Sequence, residues 1–137
     1  MQLDAVPQAD PRIQRALARG HLVDLTTYGR RTGLPRRIEL VFHAIDGRVI
    51  VSGMPRRAPR AWLLNARANP SVILHLKRVV TADLPATARE ITEREERRAL
   101  MERVAANWGR TDVEAMMAFS PLIELHIDGY TPAQPEG

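Results

Sequence analysis

The chain has no cysteine, which excludes a disulfide framework, a thiolate nucleophile, a zinc ribbon and an iron–sulfur cluster. Aromatic residues make up only 4% of it, too few for the stacking platforms of a single-strand nucleic-acid binder, so no nucleic-acid partner is expected. No apolar run approaches the ~18 residues of a membrane span, and the start Met1-Gln2-Leu3-Asp4-Ala5-Val6-Pro7 lacks a signal peptide's basic and apolar regions. A soluble cytoplasmic protein is therefore expected, with no transmembrane segment and with peripheral membrane contact left open. No glycine fingerprint of the dinucleotide or phosphate-loop type stands between a strand and a helix. What is present is ordinary globular composition, 45% apolar and 26% charged, in a length of 137 residues that suits one packed core.

Lysine is nearly absent too, Lys77 being the only one, so positive charge rests on arginine. The net charge of +4 conceals an uneven distribution. Between Tyr28 and Arg78 eleven basic residues face only Glu39 and Asp46, whereas residues 79–137 carry six basic against eleven acidic. A planar guanidinium with five donors suits bidentate binding of phosphate or carboxylate, which points to an anionic partner for the middle of the chain.

Asp10-Pro11 is a helix start and Gly20 a stop, predicting a helix over about 11–19 in an N-terminal helical segment reaching to residue 20. Alternation predicts strands over 21–27, 36–43, 48–52, 71–77 and 122–127, with Asp46-Gly47 as a hairpin turn. Pro59 to Ala66 suits a helix ending before Asn69-Pro70. The stretch 79–91 reads as a strand that needs an edge or a bulge at Pro85, because proline cannot donate to a ladder. Thr92-Glu93-Arg94-Glu95 is a capping-box pattern opening a charged helix to about Asn107, and Thr111-Asp112-Val113-Glu114 repeats it for a shorter helix. Residues 131–137 read as a flexible tail. The pattern is mainly β (α+β): one domain over residues 1–137, an antiparallel barrel with flanking helices.

Candidate chemistry is narrowed mostly by elimination. Histidines 21, 43, 75 and 126 have no local ligand spacing, and no metal site is expected. Ser52, Ser71 and Ser120 lack the nucleophile elbow of a serine hydrolase. Glu90, Glu93, Glu95, Glu96 and Glu102 beside arginines read as a salt-paired helix face. Two basic loops remain. In Gly29-Arg30-Arg31-Thr32-Gly33-Leu34-Pro35-Arg36-Arg37, a turn freed by two glycines could aim backbone N–H groups at an oxyanion, with guanidinium groups and the Thr32 hydroxyl completing a cradle. In the second, Ser52 to Trp62, Arg56, Arg57 and Arg60 add charge while Met54, Pro55 and Trp62 could line an apolar slot.

Thr26-Thr27-Tyr28-Gly29-Arg30-Arg31-Thr32-Gly33-Leu34-Pro35-Arg36, then Asp46-Gly47, Ser52-Gly53-Met54-Pro55, Trp62-Leu63-Leu64-Asn65 and Ala68-Asn69-Pro70, together resemble the deazaflavin-dependent nitroreductase family. The match runs in order from about Leu22 to Leu76. It implies a split β-barrel like that of pyridoxine-phosphate oxidases and FMN-binding proteins, with coenzyme F-420 as cofactor and FMN as the alternative. By this resemblance Arg30, Thr32 and Arg36 hold the coenzyme's anionic tail, with Arg31 and Gly33 in the same loop. Ser52, Gly53, Met54, Arg56 and Asn65 border its ring, and Pro55, Arg57, Arg60 and Trp62 lie beside them. Hydride transfer to a quinone, nitroaromatic or activated alkene is the implied chemistry, needing no side-chain nucleophile; split-barrel relatives are often dimers.

The chain departs from the family pattern in having Ile38-Glu39 after the basic loop, many arginines in the second loop, and no counterparts of the C-terminal tyrosines. Trp108, Met116, Met117 and Phe119 offer instead an apolar lining for a substrate pocket, similar to a branch of the family linked to lipidic ligands. The rival reading is a non-catalytic binding protein taking a fatty acid, its carboxylate on Arg56, Arg57 or Arg60 and its chain among Met54, Trp62, Met116 and Phe119.

Overall fold

A computed structural model describes residues 10–130. Helix α1 (Pro11–Leu17) starts where Asp10 accepts a hydrogen bond from the Arg12 amide, and it buries Ile13, Ala16 and Leu17. Strands β1 (Leu22–Tyr28), β2 (Pro35–Ile45) and β3 (Arg48–Ser52) form a meander, with Asp46 and Gly47 both at positive φ in the β2–β3 turn. Helix α2 (Ala61–Ala68), β4 (Ser71–Lys77), β5 (Thr81–Glu90), α3 (Arg94–Asn107), α4 (Val113–Phe119) and β6 (Leu122–Ile127) follow. The six strands close an antiparallel barrel in the order β1-β2-β3-β6-β5-β4, with β1 and β4 sealing it through Asp24↔His75, Leu25↔Leu74 and Thr26↔Ile73.

Strand alternation builds two apolar clusters on the two sides of one sheet. Val23, Leu25, Phe42, Val49, Val51, Leu74, Leu84 and Leu125 point inward, and α1 closes the barrel with Leu17. On the outer side Ile45, Ile50 and Leu122 meet Leu100, Met101, Val104 and Met116 from α3 and α4. Arg48 and Arg89 hold the inner end of this contact. Both donate to Glu124, which is only 5% exposed, and both reach Glu96 on α3 at 2.7 and 2.6 Å.

Three local expectations are refined. Pro85 sits in a strand flanked on both sides, but β6 pairing stops at Ala86↔Ile127, and the Pro85 carbonyl accepts from the Asp128 amide at 2.9 Å. Since N–H and C=O of one strand residue face the same neighbour, the missing donor points past the end of β6, where no ladder partner is required. The cap of α3 is Glu93, whose carboxylate takes the Glu95 and Glu96 amides, rather than Thr92. Asp112 precedes α4 but makes no capping bond, because its carboxylate is engaged by Arg110. Met1 to Ala9 and the tail from 131 onward, including the residues expected to be flexible, lie outside the described residues.

Candidate functional site

The two basic loops lie on opposite sides of α2. At about 100° per residue, Ala61, Trp62 and Asn65 share one side of this helix, while Arg60, Leu63 and Arg67 share the other. A cleft of about 420 Å³ opens on the first side, lined by Thr27, Arg30, Arg31, Thr32, Arg36 and Trp62 among others. A second of about 340 Å³ opens on the other, lined by Arg56, Arg57, Arg60, Arg67, Arg97 and Phe119 among others. A single cradle shared by both loops is therefore divided into two.

The first cleft is built on the β1–β2 turn. Gly29 N–H donates to the Leu34 carbonyl at 2.8 Å and Gly33 N–H to the Gly29 carbonyl at 2.7 Å, with Gly33 at φ 75°. The absence of a side chain at Gly29 also makes room for Thr32, since a Cβ there would stand 2.9 Å from Thr32 Oγ1. Leu34 N–H donates to that hydroxyl, and Arg30 N–H donates to Asn65 Oδ1 at 3.1 Å. Asn65, only 4% exposed, also donates from Nδ2 to Thr27 Oγ1. These bonds correct the expected backbone cradle: most of the turn's amides are satisfied internally, leaving those of Arg31 and Thr32. They also place Asn65 as the strut that fixes the turn against α2.

The donors this cleft offers are therefore mainly side chains. Arg30, Arg31 and Arg36 are exposed, and among the described residues their guanidinium groups have neither a carboxylate nor a hydrogen-bond partner. Arg37, next in β2, points to the opposite face and pairs with Asp24 at 2.9 Å. Lys77 joins Asp24 there and holds its carboxyl below the usual carboxylate range, burial opposing. Strand alternation thus separates a paired arginine from a free one in consecutive positions.

The second loop is drawn toward α4 instead. Arg60 donates to the Met54 carbonyl at 2.7 Å, its guanidinium carbon 2.8 Å from where a Cβ on Gly53 would stand. Arg56 N–H bonds the Phe119 carbonyl at 3.2 Å, and the Arg57 guanidinium lies 5.4 Å from the centroid of the Phe119 ring. Burial, then the neighbouring Arg56 charge, lowers the Arg60 pKa. Arg67 is neutralised by a bidentate pair with Glu90 at 2.7 and 2.8 Å. Arg97 binds the carbonyls of Ile91, Met116, Met117 and Ser120, and burial lowers its pKa. Met54 and Pro55, expected beside the ring, line neither cleft; Met54 is 41% exposed and its sulfur accepts from Arg110.

Several expected site residues lie elsewhere. Ser52 is buried and donates to the Pro121 carbonyl at 2.6 Å, tying β3 to the start of β6. Met116 is fully buried in the outer core, so it lines no pocket. Trp108 stacks edge-on against His43 at 4.8 Å beside a third depression lined by Val41, Phe42 and Asn107. Of the four residues expected to line a substrate pocket, Met117 and Phe119 reach an arginine cleft. Arg67, Arg97 and Ser120 belong to that cleft and carried no signal in the sequence, because they come from α2, α3 and the α4–β6 junction, which no local motif joins.

This architecture is that of the FMN-binding split barrels. It is similar to a putative pyridoxamine 5'-phosphate oxidase from Listeria innocua, with a TM-score of 0.55 at 16% identity over 79% of this chain and 85% of that one. A solved structure described as an F420-H2 dependent reductase gives 0.58 at 21% identity, covering 77% and 93%. One described as a domain-swapped dimer gives 0.58 at 23%, covering 77% and 79%. Residues 2–123 match the F420H(2)-dependent quinone reductase family, and the chain belongs to it. Membership agrees with the resemblance seen in the two loops and makes coenzyme F-420, rather than FMN, the cofactor to be fitted. The residues fit it: three unpaired guanidinium groups flank an apolar wall of Ile38 and Trp62, as an anionic tail joined to a flat ring demands. Among the described residues no helix is long and apolar enough to cross a membrane, and no group of three metal-ligating side chains occurs.

Proposed function

We propose that the protein binds reduced F-420 with the anionic tail in the first cleft and delivers its hydride to a quinone or another flat electron-poor acceptor. The observation that carries this is the set of unpaired guanidinium groups of Arg30, Arg31 and Arg36 around one cleft, in a chain of this family. The coenzyme supplies the hydride, and the acceptor takes one proton from solvent to leave as the hydroquinone. The protein binds and orients. Arg30, Arg31 and Arg36 grip the tail, Asn65 holds their turn in place, and Trp62 and Ile38 provide the dry side. Ala61 lines the first cleft and Pro59 and Arg60 the second, so the two meet at the amino end of α2. A ligand anchored by its tail in the first presents its far end there.

A homodimer in the cytoplasm completes this reading, supported by the similarity to a domain-swapped dimer. The test is a fluorescence titration of purified protein with F-420, followed by oxidation of the reduced coenzyme with menadione as acceptor. Saturable binding and acceptor-dependent oxidation are expected. FMN binding in preference to F-420 would overturn the choice of coenzyme, and no binding of either, with fatty acid retained from the host cells, would overturn the reading in favour of a carrier.

A further inference from the structure

We infer that the second cleft is an acceptor site selective for carboxylate-bearing substrates, an inference that rests on the reductase reading for the word acceptor but not for the carboxylate. Two independent observations point to an anionic ligand there. The first is the charge inventory of the wall. Arg67 is neutralised by Glu90 and Arg97 is turned onto four carbonyls, but Arg56 and Arg57 have no hydrogen-bonded or ion-paired carboxylate among the described residues, and Arg60 has only the Met54 carbonyl. Three like charges are thus held within one loop of five residues, an arrangement that favours an arriving anion. The second is Ser120, whose residue is 5% exposed and whose hydroxyl is buried in this wall without a hydrogen-bond partner. An unmet hydroxyl in the wall of a cleft that also carries unpaired guanidinium groups adds a donor that a carboxylate satisfies.

The rest of the wall defines the body of the ligand. Leu63, Pro59, Met117 and the Phe119 ring, which is 42% exposed, make an apolar strip beside the charged end. Arg57 already lies over Phe119, so a flat ring entering the cleft finds one aromatic face and one cationic edge. The cavity of about 340 Å³ is of small-molecule size. The ligand class is a single-ring or fused-ring acceptor with a short acidic side chain.

A benzoquinone carrying a propionate side chain and its methyl ester differ in charge and by a single methyl group. Calorimetric titration of the protein with each compound, without coenzyme, reads the site directly. The acid should bind at least tenfold tighter than the ester, and Arg56→Ala/Arg57→Ala should remove the difference. Ser120→Ala should reduce it several-fold while circular dichroism stays native. With reduced F-420 present, the acid-to-ester ratio of kcat/KM should follow the same order. Equal binding of acid and ester by the unaltered protein, or a preference that survives in Arg56→Ala/Arg57→Ala, would overturn the inference. So would loss of F-420 binding in that variant, which would make the loop part of the coenzyme site. If F-420 does not bind at all, the reductase reading fails, and the calorimetry still decides whether the carboxylate site exists.

Discussion

The two clefts beside α2 are lined by three and five arginines and differ in what those arginines are already doing. In the first, Arg30, Arg31 and Arg36 are unpaired and stand on or beside a turn most of whose amides are satisfied. In the second, Arg67 is committed to Glu90 and Arg97 and Arg60 to backbone carbonyls, and Arg56 and Arg57 remain. Arginine count is therefore a poor guide to anion affinity. What separates a binding group from a strut is whether its donors already have acceptors, and that depends on elements far apart in the chain.

The sharpest way to break this comparison is to remove the arginines of one cleft at a time and measure F-420 affinity by fluorescence. Each charge-assisted hydrogen bond contributes about 1.5–3 kcal/mol. Arg30→Ala/Arg36→Ala should therefore weaken F-420 on the order of a hundredfold or more. Arg56→Ala/Arg57→Ala should change it by about twofold or less. Equal losses in both variants would return the two clefts to one.

A smaller effect is expected at Asn65, which touches the first cleft through the backbone. Asn65→Ala leaves the Arg30 amide and the Thr27 hydroxyl without their partner, which costs about 1–3 kcal/mol of stability. The loosened turn should weaken F-420 roughly tenfold while leaving carboxylate binding in the second cleft unchanged. Chemical denaturation and the two titrations check this. A variant with native F-420 affinity would show that the strut is structural only.

Acid should act on the second cleft first, because part of its wall is carried by α3. Arg89, then Arg48, hold Glu96 down to about 2 from its ordinary 4.5. A folded-state pKa below the unfolded value contributes stability that is complete above the unfolded value and is lost as pH falls from about 4.5 toward about 2. Glu96→Gln should lower Tm by a few degrees at neutral pH, on the order of 1 kcal/mol for a partly exposed network, and flatten the acid limb of a Tm-against-pH curve. An unchanged acid limb would show that Glu96 does not clamp α3.

Much of this architecture is legible in the residues. Strand alternation and the Asp46-Gly47 turn locate β3, β4 and β6 at their observed bounds, because each buries one face against a core and exposes or packs the other. The choice of Glu93 over Thr92 as cap was not readable, since both can cap. It is decided by Ile91, fully buried and bonded through its amide to the Leu122 carbonyl, which keeps the chain extended one residue longer. Likewise the first turn announces its arginines and glycines within nine residues, and the family resemblance lies over them. The second cleft needs Arg56 from a loop, Arg97 from α3 and Ser120 from the α4–β6 junction. Met116 and Met117 are adjacent and chemically alike, yet a turn of α4 sends one to the core and the other to the cleft.

A crystal structure of the protein with F-420 tests the division of labour most directly. The account predicts the coenzyme's phosphate and carboxylates beside Arg30, Arg31 and Arg36, on the Trp62 and Asn65 side of α2. A tail lying between Arg56 and Arg97, on the Leu63 side of the same helix, would contradict it.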